Sequence, residues 1–323
     1  MLLYDNASDQ RRVIILATSD NLTILAESSS WYLDGTFKSS PQLFYQILIL
    51  HAELPSLTDD RSWCLPTVYI LLTHKDSAIY LEAFQSLVSN CPILAPQVLM
   101  LDFEQALRSS LSSTFPSALV DGCHFHFCQA VLRNLYNLGY KTQYETVTTD
   151  PATGFKEHSL VHTWVRRLMM LAMVPVSDVP DAFAAIADSI PDTLDLDSFL
   201  GYFERTWVSG VSGRRARFPP ETWNQSDRVE TGMGRTNNFC ESFNKTFSDV
   251  VGHSNPTIYN FISAVQLEQS STEGKITSYR QGRQPPARKK RWVEKDAAIK
   301  RIVGNYHLYE NRLMEFLDEL AQL

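Results

Sequence analysis

Long apolar runs fill the first third of the chain, and they limit the possible folds more than any other feature. They cover residues 13–17, 31–37, 43–50 and 67–72. Runs that are nearly continuous in apolar residues are typical of strands buried on both faces. We therefore expect a central sheet whose two faces are both covered.

Helical and strand patterns alternate after these runs. Residues 75–90 repeat apolar side chains at helical spacing, residues 97–102 form the next predicted strand, and a helix is predicted over 104–114. A short strand at 118–120 and a helix at 125–138 follow. Strands first, then helices and strands in alternation, predict an α/β fold with a mixed sheet flanked by helices.

The pattern changes after this point, because residues 139–222 contain helical stretches separated by prolines and almost no strand pattern. We predict four segments. A first part of the core spans 1–138, an all-α insertion spans 139–222, and a second part of the core spans 223–279. A basic linker with a C-terminal helix or helix pair spans 280–323.

Composition excludes several classes of protein. Hydrophobic residues make up 44% of the chain, which is ordinary for a globular protein. No apolar run approaches the ~20 residues that a membrane span needs, and the N-terminus lacks the pattern of a secretory signal. The five cysteines are odd in number and have no framework spacing, which favours reduced thiols and an intracellular protein.

Charge is distributed unevenly along the chain. The net charge is −7, yet residues 280–301 hold nine basic and two acidic residues, so that segment is +7 and the remainder is −14. An acidic body is unusual for a protein that binds nucleic acid. The basic cluster Arg288, Lys289, Lys290 and Arg291 predicts a nuclear localisation signal or a DNA-contacting arm, with a solvated basic linker as the alternative.

Three carboxylates stand where a metal site needs them. Asp34 interrupts the apolar run 31–37, Asp102 closes the run 97–102, and Glu241 lies where a helix is predicted to begin. A charge at a buried strand costs free energy unless something neutralises it. Ligand sets made only of oxygen favour Mg²⁺ or Mn²⁺, so the three acids predict metal-assisted phosphoryl transfer.

Each acid also has an ordinary structural interpretation. Asp34 before Gly35 is typical of a turn, Asp102 is placed to cap the next helix, and Glu241 is compatible with a plain helix surface. Other acids compete for the same roles, namely Glu104, Asp227 and Glu230.

The residues around these acids form a recognisable pattern. Asp34 begins Asp-Gly-Thr-Phe-Lys, Asp102 begins Asp-Phe-Glu-Gln-Ala-Leu, and Glu241 follows a Thr-Asn-Asn triplet. In this order and at these separations, the chain resembles the transposase domain of Mutator-like elements (MULE transposases), part of the DDE group with an RNase H-like fold. The resemblance runs from about residue 30 to 126 and again from about 223 to 267.

The resemblance implies a function. It assigns Asp34, Asp102 and Glu241 as the catalytic and metal-binding triad of a two-Mg²⁺ (or Mn²⁺) transposase that cuts DNA strands and joins them to a target. It also implies a helical insertion between the second aspartate and the glutamate, a nuclear location, DNA as partner, and a homo-oligomer on the DNA.

The resemblance further assigns Cys123 and His126 to a Cys-x-x-His element that supports the site. They belong to a dense cluster, residues 123–128, which includes His124 and Cys128. A structural zinc is one alternative, although tetrahedral zinc sites normally use two ligand pairs separated by a longer loop. A buried cysteine with a hydrogen-bonded histidine is another.

Two further functional interpretations stay open. Full-length relatives carry an N-terminal zinc-binding DNA-recognition module, and no cysteine or histidine precedes Asp34. A domesticated or relic nuclear protein, which binds DNA or protein without catalysis, is therefore the alternative. A stand-alone RNase H-like nuclease that acts on other substrates is the other interpretation, and it fits the three acids but not the family motifs around Glu241. The aromatic residues are predicted to lie in the core rather than to stack on bases, namely Phe44, Tyr45, Trp164, Trp207 and Trp223.

Overall fold

The computed structural model describes residues 1–8, 10–56, 61–149, 151–154, 156–210 and 214–323. Within them, a seven-stranded sheet has the order β1-β2-β5-β4-β3-β6-β7, and β8 and β9 form a separate pair. The strands are β1 (Leu2–Asp5), β2 (Val13–Leu16), β3 (Ser30–Thr36), β4 (Gln46–Pro55), β5 (Ser62–Leu72), β6 (Val98–Leu101), β7 (Leu119–Gly122), β8 (Val147–Thr149) and β9 (Lys156–His158).

The large sheet is mixed, as predicted. Strand β3 pairs antiparallel with β4 on one side and parallel with β6 on the other. The pairs β1–β2, β2–β5 and β4–β5 are antiparallel. Helices accompany the sheet, so the predicted α/β class is confirmed, whereas the narrower RNase H-like assignment stays a prediction.

Helices make up most of the remaining described residues. They are α1 (Ser19–Glu27), α2 (Ser77–Asn90), α3 (Gln105–Thr114), α4 (His124–Asn137), α5 (Lys141–Glu145), α6 (Leu160–Met170), α7 (Val179–Ser189), α8 (Asp197–Phe203), α9 (Ser226–Thr231), α10 (Asn238–Val251), α11 (Ile258–Arg280), α12 (Lys290–Gly304) and α13 (Leu313–Ala321). No described helix is both long and apolar enough to cross a membrane.

The chain divides into two compact units. The first, which we call the sheet unit, contains Met1–Asp121 and Asn237–Ala287. The second, the helical unit, contains Gly122–Thr236 and Arg288–Leu323. These limits differ from the predicted segment limits at 139, 223 and 280, and the predicted domain assignment remains a prediction.

Both faces of the sheet unit are covered, which explains the nearly continuous apolar runs. Along β4, Leu48 and Leu50 join a core cluster that includes apolar residues of α1, α2 and α3. The intervening Ile47 and Ile49 join a second cluster with Phe247 of α10 and with residues of α11. Successive side chains of a strand point to opposite faces, so each face needs its own apolar set.

The helical unit has an aromatic core of its own. The ring of Phe127 stacks on that of Trp223 with 4.6 Å between centroids, and it meets Trp207 edge-on at 5.0 Å. Near the C-terminus, Arg167 of α6 makes two hydrogen bonds of 2.7 Å to the carboxylate of Asp318 on α13. The predicted C-terminal helix pair corresponds to α12 and α13.

One predicted feature of this unit is wrong, because residues 139–222 are not entirely helical. Strands β8 and β9 pair antiparallel, with Val147 opposite His158 and Thr149 opposite Lys156. Every residue of both strands is exposed. Since neither face is buried, the sequence lacks the apolar alternation by which a strand is recognised.

Candidate active site

Asp34 lies near the end of β3, a strand in the interior of the sheet, and its side chain is held by two hydrogen bonds. The backbone N–H of Gly35 donates to Oδ1 at 3.0 Å. The side-chain Nδ2 of Asn244, on α10, donates to Oδ2 at 2.7 Å. Asp34 is therefore fixed from its own strand and from a distant helix, and it does not act as the turn residue that Asp-Gly alone would favour.

Asp102 comes directly after β6, at the same end of the sheet. The parallel register aligns Ser30 with Val98 and Tyr32 with Met100. Asp102, like Asp34, lies two residues after the last aligned pair. Its Oδ1 accepts a hydrogen bond of 3.3 Å from the backbone N–H of Glu104. Asp102 therefore bonds to the backbone of the residue that precedes α3, in partial agreement with the alternative that it caps this helix. The residue at the cap position of α3 makes no side-chain capping hydrogen bond.

Glu241 occupies the first turn of α10, as predicted. Aromatic contacts hold this helix on the sheet, since Phe239 meets Tyr32 edge-on at 4.5 Å and Phe243 meets His51 at 5.0 Å. Residues three apart share one face of a helix. Glu241 therefore lies one turn before Asn244, the residue that reaches Asp34.

Electrostatics link the three acids. The pKa of Asp34 is raised from 3.8 to about 7, first by burial and then by the negative charges of Asp102 and Glu241. The hydrogen bonds from Gly35 and Asn244 oppose this increase only in part. Burial also raises the pKa of Glu241. The structure thus brings the three predicted acids close enough together for their charges to repel.

The rival acids have other surroundings. The carboxylate of Glu104 forms an ion pair of 3.0 Å with Nζ of Lys75. Burial raises the pKa of Glu104, and hydrogen bonds from Lys75 and Tyr80 oppose the increase. Asp227 and Glu230 are on α9, in the helical unit.

The donor set of the three acids fits a hard divalent cation. Oxygen ligands suit Mg²⁺ and Mn²⁺, and a cation relieves the repulsion that raises the pKa of Asp34. Within the described parts of the chain, no group of three or more His, Cys, Asp or Glu residues is arranged to hold a metal ion. The acids therefore share an electrostatic environment without forming a complete ligand cage.

The Cys-His cluster lies in the helical unit at the start of α4. Cys123 is fully buried and precedes the first turn, and His126 is partly buried within that turn. Nε2 of His124 lies 3.6 Å from Sγ of Cys128. Burial lowers the pKa of His124 to about 3 and raises the pKa of Cys128 to about 12. Both side chains are therefore neutral at physiological pH, and the supporting role of Cys123 and His126 stays a prediction.

The basic cluster is exposed at the start of α12. Arg288 forms an ion pair of 2.5 Å with Asp296, and Lys290 forms one of 3.6 Å with Glu294. The guanidinium of Arg291 lies 4.8 Å from the centre of the neighbouring Trp292 ring, and Lys289 immediately precedes the helix. Exposure is compatible with both predicted uses, DNA contact and nuclear targeting, and both stay predictions.

Two features of the site were missed from the sequence. The role of Asn244 was not predicted, although its Glu-x-x-Asn spacing from Glu241 signals a shared helix face. The prediction that Tyr45 lies in the core is wrong, because 55% of the residue is exposed. The other four aromatic residues of that prediction are buried as expected, namely Phe44, Trp164, Trp207 and Trp223.

Comparison with known proteins agrees with the motif pattern. No curated protein matches the chain. A family model described as MULE transposase domain matches residues 30–130, a segment that contains Asp34, Asp102, Cys123 and His126 and ends before Glu241. The predicted resemblance of this chain to the MULE transposase domain is therefore confirmed over residues 30–130.

Proposed function

We propose that this chain is a DDE-type transposase core with an RNase H-like sheet, and that it cleaves and joins DNA strands by metal-dependent phosphoryl transfer. The observation that carries the proposal is the convergence of three carboxylates at one end of the sheet, where burial raises the pKa of Asp34 and the charges of Asp102 and Glu241 raise it further. Perturbed carboxylates that converge at one end of a sheet are typical of catalytic sites. The match to the MULE transposase domain supports the same chemistry.

Asp34, Asp102 and Glu241 are the residues that would hold Mg²⁺ or Mn²⁺. A bound cation of this kind supplies Lewis-acid activation of the scissile phosphate and lowers the pKa of the attacking water or 3′-hydroxyl. Such an ion would also offset the negative charge around Asp34. Its affinity is then expected to depend on all three carboxylates.

Neighbouring groups orient the acids. Gly35 and Asn244 each donate to a different oxygen of Asp34, which fixes the plane of that carboxylate. The backbone N–H of Glu104 does the same for one oxygen of Asp102. Groups that hold ligands in place contribute to activity because they limit the reorganisation required during reaction.

The proposed substrate is DNA. Arg288, Lys289, Lys290 and Arg291 are exposed and are available to phosphates or to a nuclear import receptor. We propose a nuclear location and a homo-oligomer on DNA, since two element ends are cut together in the family that the chain resembles.

A second candidate is a domesticated or relic nuclear protein that binds DNA or another protein without cutting. The observation that favours it is charge, because the chain outside residues 280–301 carries −14. Such a body repels phosphates unless a cation or the basic cluster intervenes.

Nicking and strand transfer by the purified full chain distinguish these candidates. Supercoiled plasmid and short duplexes are incubated with Mg²⁺ or Mn²⁺, and Glu241→Gln is compared with Asp249→Asn, an exposed acid on the same helix. The catalytic proposal predicts activity that E241Q abolishes and D249N retains. A folded wild type without activity, or activity unchanged in E241Q, would favour the second candidate or a contaminating nuclease.

A further inference from the structure

Two exposed aromatic rings lie beyond the strand that carries Asp34. Phe37 is 46% exposed and Tyr45 is 55% exposed. Their rings meet edge-to-face, with 5.5 Å between centroids and an interplanar angle of 79°. We call these two residues the aromatic pair. Large aromatic side chains that are paired with each other and still open to solvent often mark a binding surface.

Strand pairing places the aromatic pair at the end of the sheet where Asp34 lies. Strand β3 ends at Thr36, which is opposite Ile47 in the antiparallel register with β4. Phe37 follows β3 and Tyr45 precedes β4. Phe37, three residues after Asp34, is therefore the first residue after β3, and Tyr45 is the last residue before β4.

Lys75 connects the aromatic pair to the acids. Its Nζ lies 5.2 Å from the centre of the Phe37 ring and 3.0 Å from Oε2 of Glu104. The backbone N–H of Glu104 in turn donates to Asp102. A continuous series of contacts therefore runs from Asp102 through Glu104 and Lys75 to the exposed rings.

The backbone of the loop between β3 and β4 is braced. Ser40 bonds to both ends of the loop, since its N–H donates to the carbonyl of Phe37 at 3.2 Å and its Oγ donates to that of Phe44 at 3.0 Å. Tyr45 donates its N–H to Leu72 at 2.8 Å. Asn255 donates its N–H to Lys38 at 3.0 Å. The rings are thus presented from an anchored loop.

We propose that the aromatic pair stacks an unpaired base of the DNA strand whose scissile phosphate lies at Asp34. This inference rests on the proposed function. Every nucleobase offers a flat face to an aromatic ring, and Lys38, which is exposed and follows Phe37 in the chain, suits an adjoining phosphate. The surface selects DNA with a locally opened strand next to the cleavage position, a feature that fully paired duplex lacks.

Fluorescence of a base analogue tests this inference without cleavage. A duplex carries 2-aminopurine at an unpaired position, and the full chain is titrated in the presence of Ca²⁺, with a fully paired duplex alongside. The wild type is expected to quench the unpaired analogue and to prefer that duplex. Tyr45→Ser is expected to lose the quench and to weaken binding about tenfold, whereas Tyr45→Phe retains both. The matched control is Tyr259→Ser, which removes a tyrosine that is 80% exposed on α11.

The outcomes separate this inference from the proposed function. Quenching that depends on Tyr45, in a protein that fails to nick DNA, would support the stacking surface and contradict catalysis. Nicking that depends on Asp34, with quenching equal in wild type and Y45S, would overturn the stacking surface alone. A change of oligomeric state in Y45S, with unchanged DNA binding, would assign the aromatic pair to contact between copies and also overturn it.

Discussion

Two groups of side chains of metal-binding types differ in their electrostatics. One is the set of three acids in the sheet unit, Asp34, Asp102 and Glu241, and the other is the Cys-His cluster of the helical unit. Burial is the largest cause of the raised pKa of Asp34, about 7, and the negative charges of Asp102 and Glu241 raise it further. Burial is also the largest cause of the shifted pKa values of His124 and Cys128, but the charges acting on these two groups are chiefly those of basic residues, with Arg166 acting on both. The first group accumulates charge that a cation would relieve, and the second has no such excess.

Under the proposed function, this difference means that the density of candidate ligands in a sequence is a poor guide to a metal site. The cluster places four candidate ligands within six residues, between Cys123 and Cys128. The three acids are dispersed over more than two hundred residues, and only the fold assembles them. Repulsion among partly buried like charges is the more informative signal, because it costs stability unless it serves the function of the site.

The largest expected effect separates the two groups by activity. Asp102→Asn is expected to reduce Mg²⁺-dependent nicking on the order of a thousandfold or more, because it removes a charged ligand. Cys128→Ala removes a neutral, partly buried thiol and is expected to leave nicking near the wild-type rate. Initial rates on supercoiled plasmid measure both, with circular dichroism to confirm folding. Equal losses in the two variants would contradict the comparison.

A smaller loss is expected at Asn244. Asn244→Ala removes the 2.7 Å hydrogen bond to Asp34 and is expected to lower nicking by about 10–100-fold, as for groups that orient metal ligands. Asn244→Asp replaces that donor by a further negative charge and is expected to lower it more. The pair is compared with Asn90→Ala, an exposed asparagine on α2. If Asn244 matters only for folding, the melting temperature of each Asn244 variant will fall in proportion to its loss of nicking rate.

Stability is expected to respond to the charge on Asp34. Between pH 4 and 7 the folded protein retains a proton that the unfolded chain has lost, because the folded pKa is about 7 and the ordinary value is 3.8. Stability therefore falls as the pH rises through this window. Asp34→Asn removes this titration, so it should be more stable than wild type by about 1–2 kcal/mol at pH 8, with the difference vanishing near pH 4.

Thermal unfolding of both proteins across this pH range, without metal, measures the difference. Added Mg²⁺ should raise the melting temperature of the wild type more than that of D34N, because only the wild type carries the charge that the ion offsets. A difference that grows toward low pH would show that Asp34 is stabilised by ionisation.

The smallest expected effect concerns zinc. A structural zinc at the Cys-His cluster would contribute about 10 kcal/mol or more to folding, so that its removal would unfold the helical unit. We expect a strong chelator to leave the melting temperature unchanged in wild type and in Cys123→Ser alike, and the purified protein to contain no stoichiometric zinc. Zinc that is present in wild type and lost in C123S would contradict this.

The core of the fold was predictable because its signals are local. Burial on both faces produced the continuous runs that correspond to β2, β3, β4 and β5, and helical periodicity marked α2. Shorter or more exposed elements were missed. The strand β1 has an exposed first residue, and α1 owes its start to a polar cap at Thr18. The strands β8 and β9 bury nothing, so no apolar pattern identifies them.

The residue types of the candidate site were predictable from the sequence, but their contacts were not. Each acid stood out because a carboxylate interrupts or ends an apolar run, and the order of the motifs joined them. The orientation of side chains was not predictable, because it depends on pairing between distant segments. Asn244 reaches Asp34 only through the packing of α10 on the sheet, and the exposure of Tyr45 depends on where β4 begins.

Direct binding of Mn²⁺ tests the central claim, that Asp34, Asp102 and Glu241 form one cation site. Electron paramagnetic resonance measures free Mn²⁺ as each protein is titrated, for wild type and for Asp34→Asn, Asp102→Asn, Glu241→Gln and the control Asp249→Asn. We predict that wild type and D249N bind Mn²⁺, that Mg²⁺ competes, and that each of the other three variants binds at least about tenfold more weakly. Binding that is equal in all five proteins would contradict the claim.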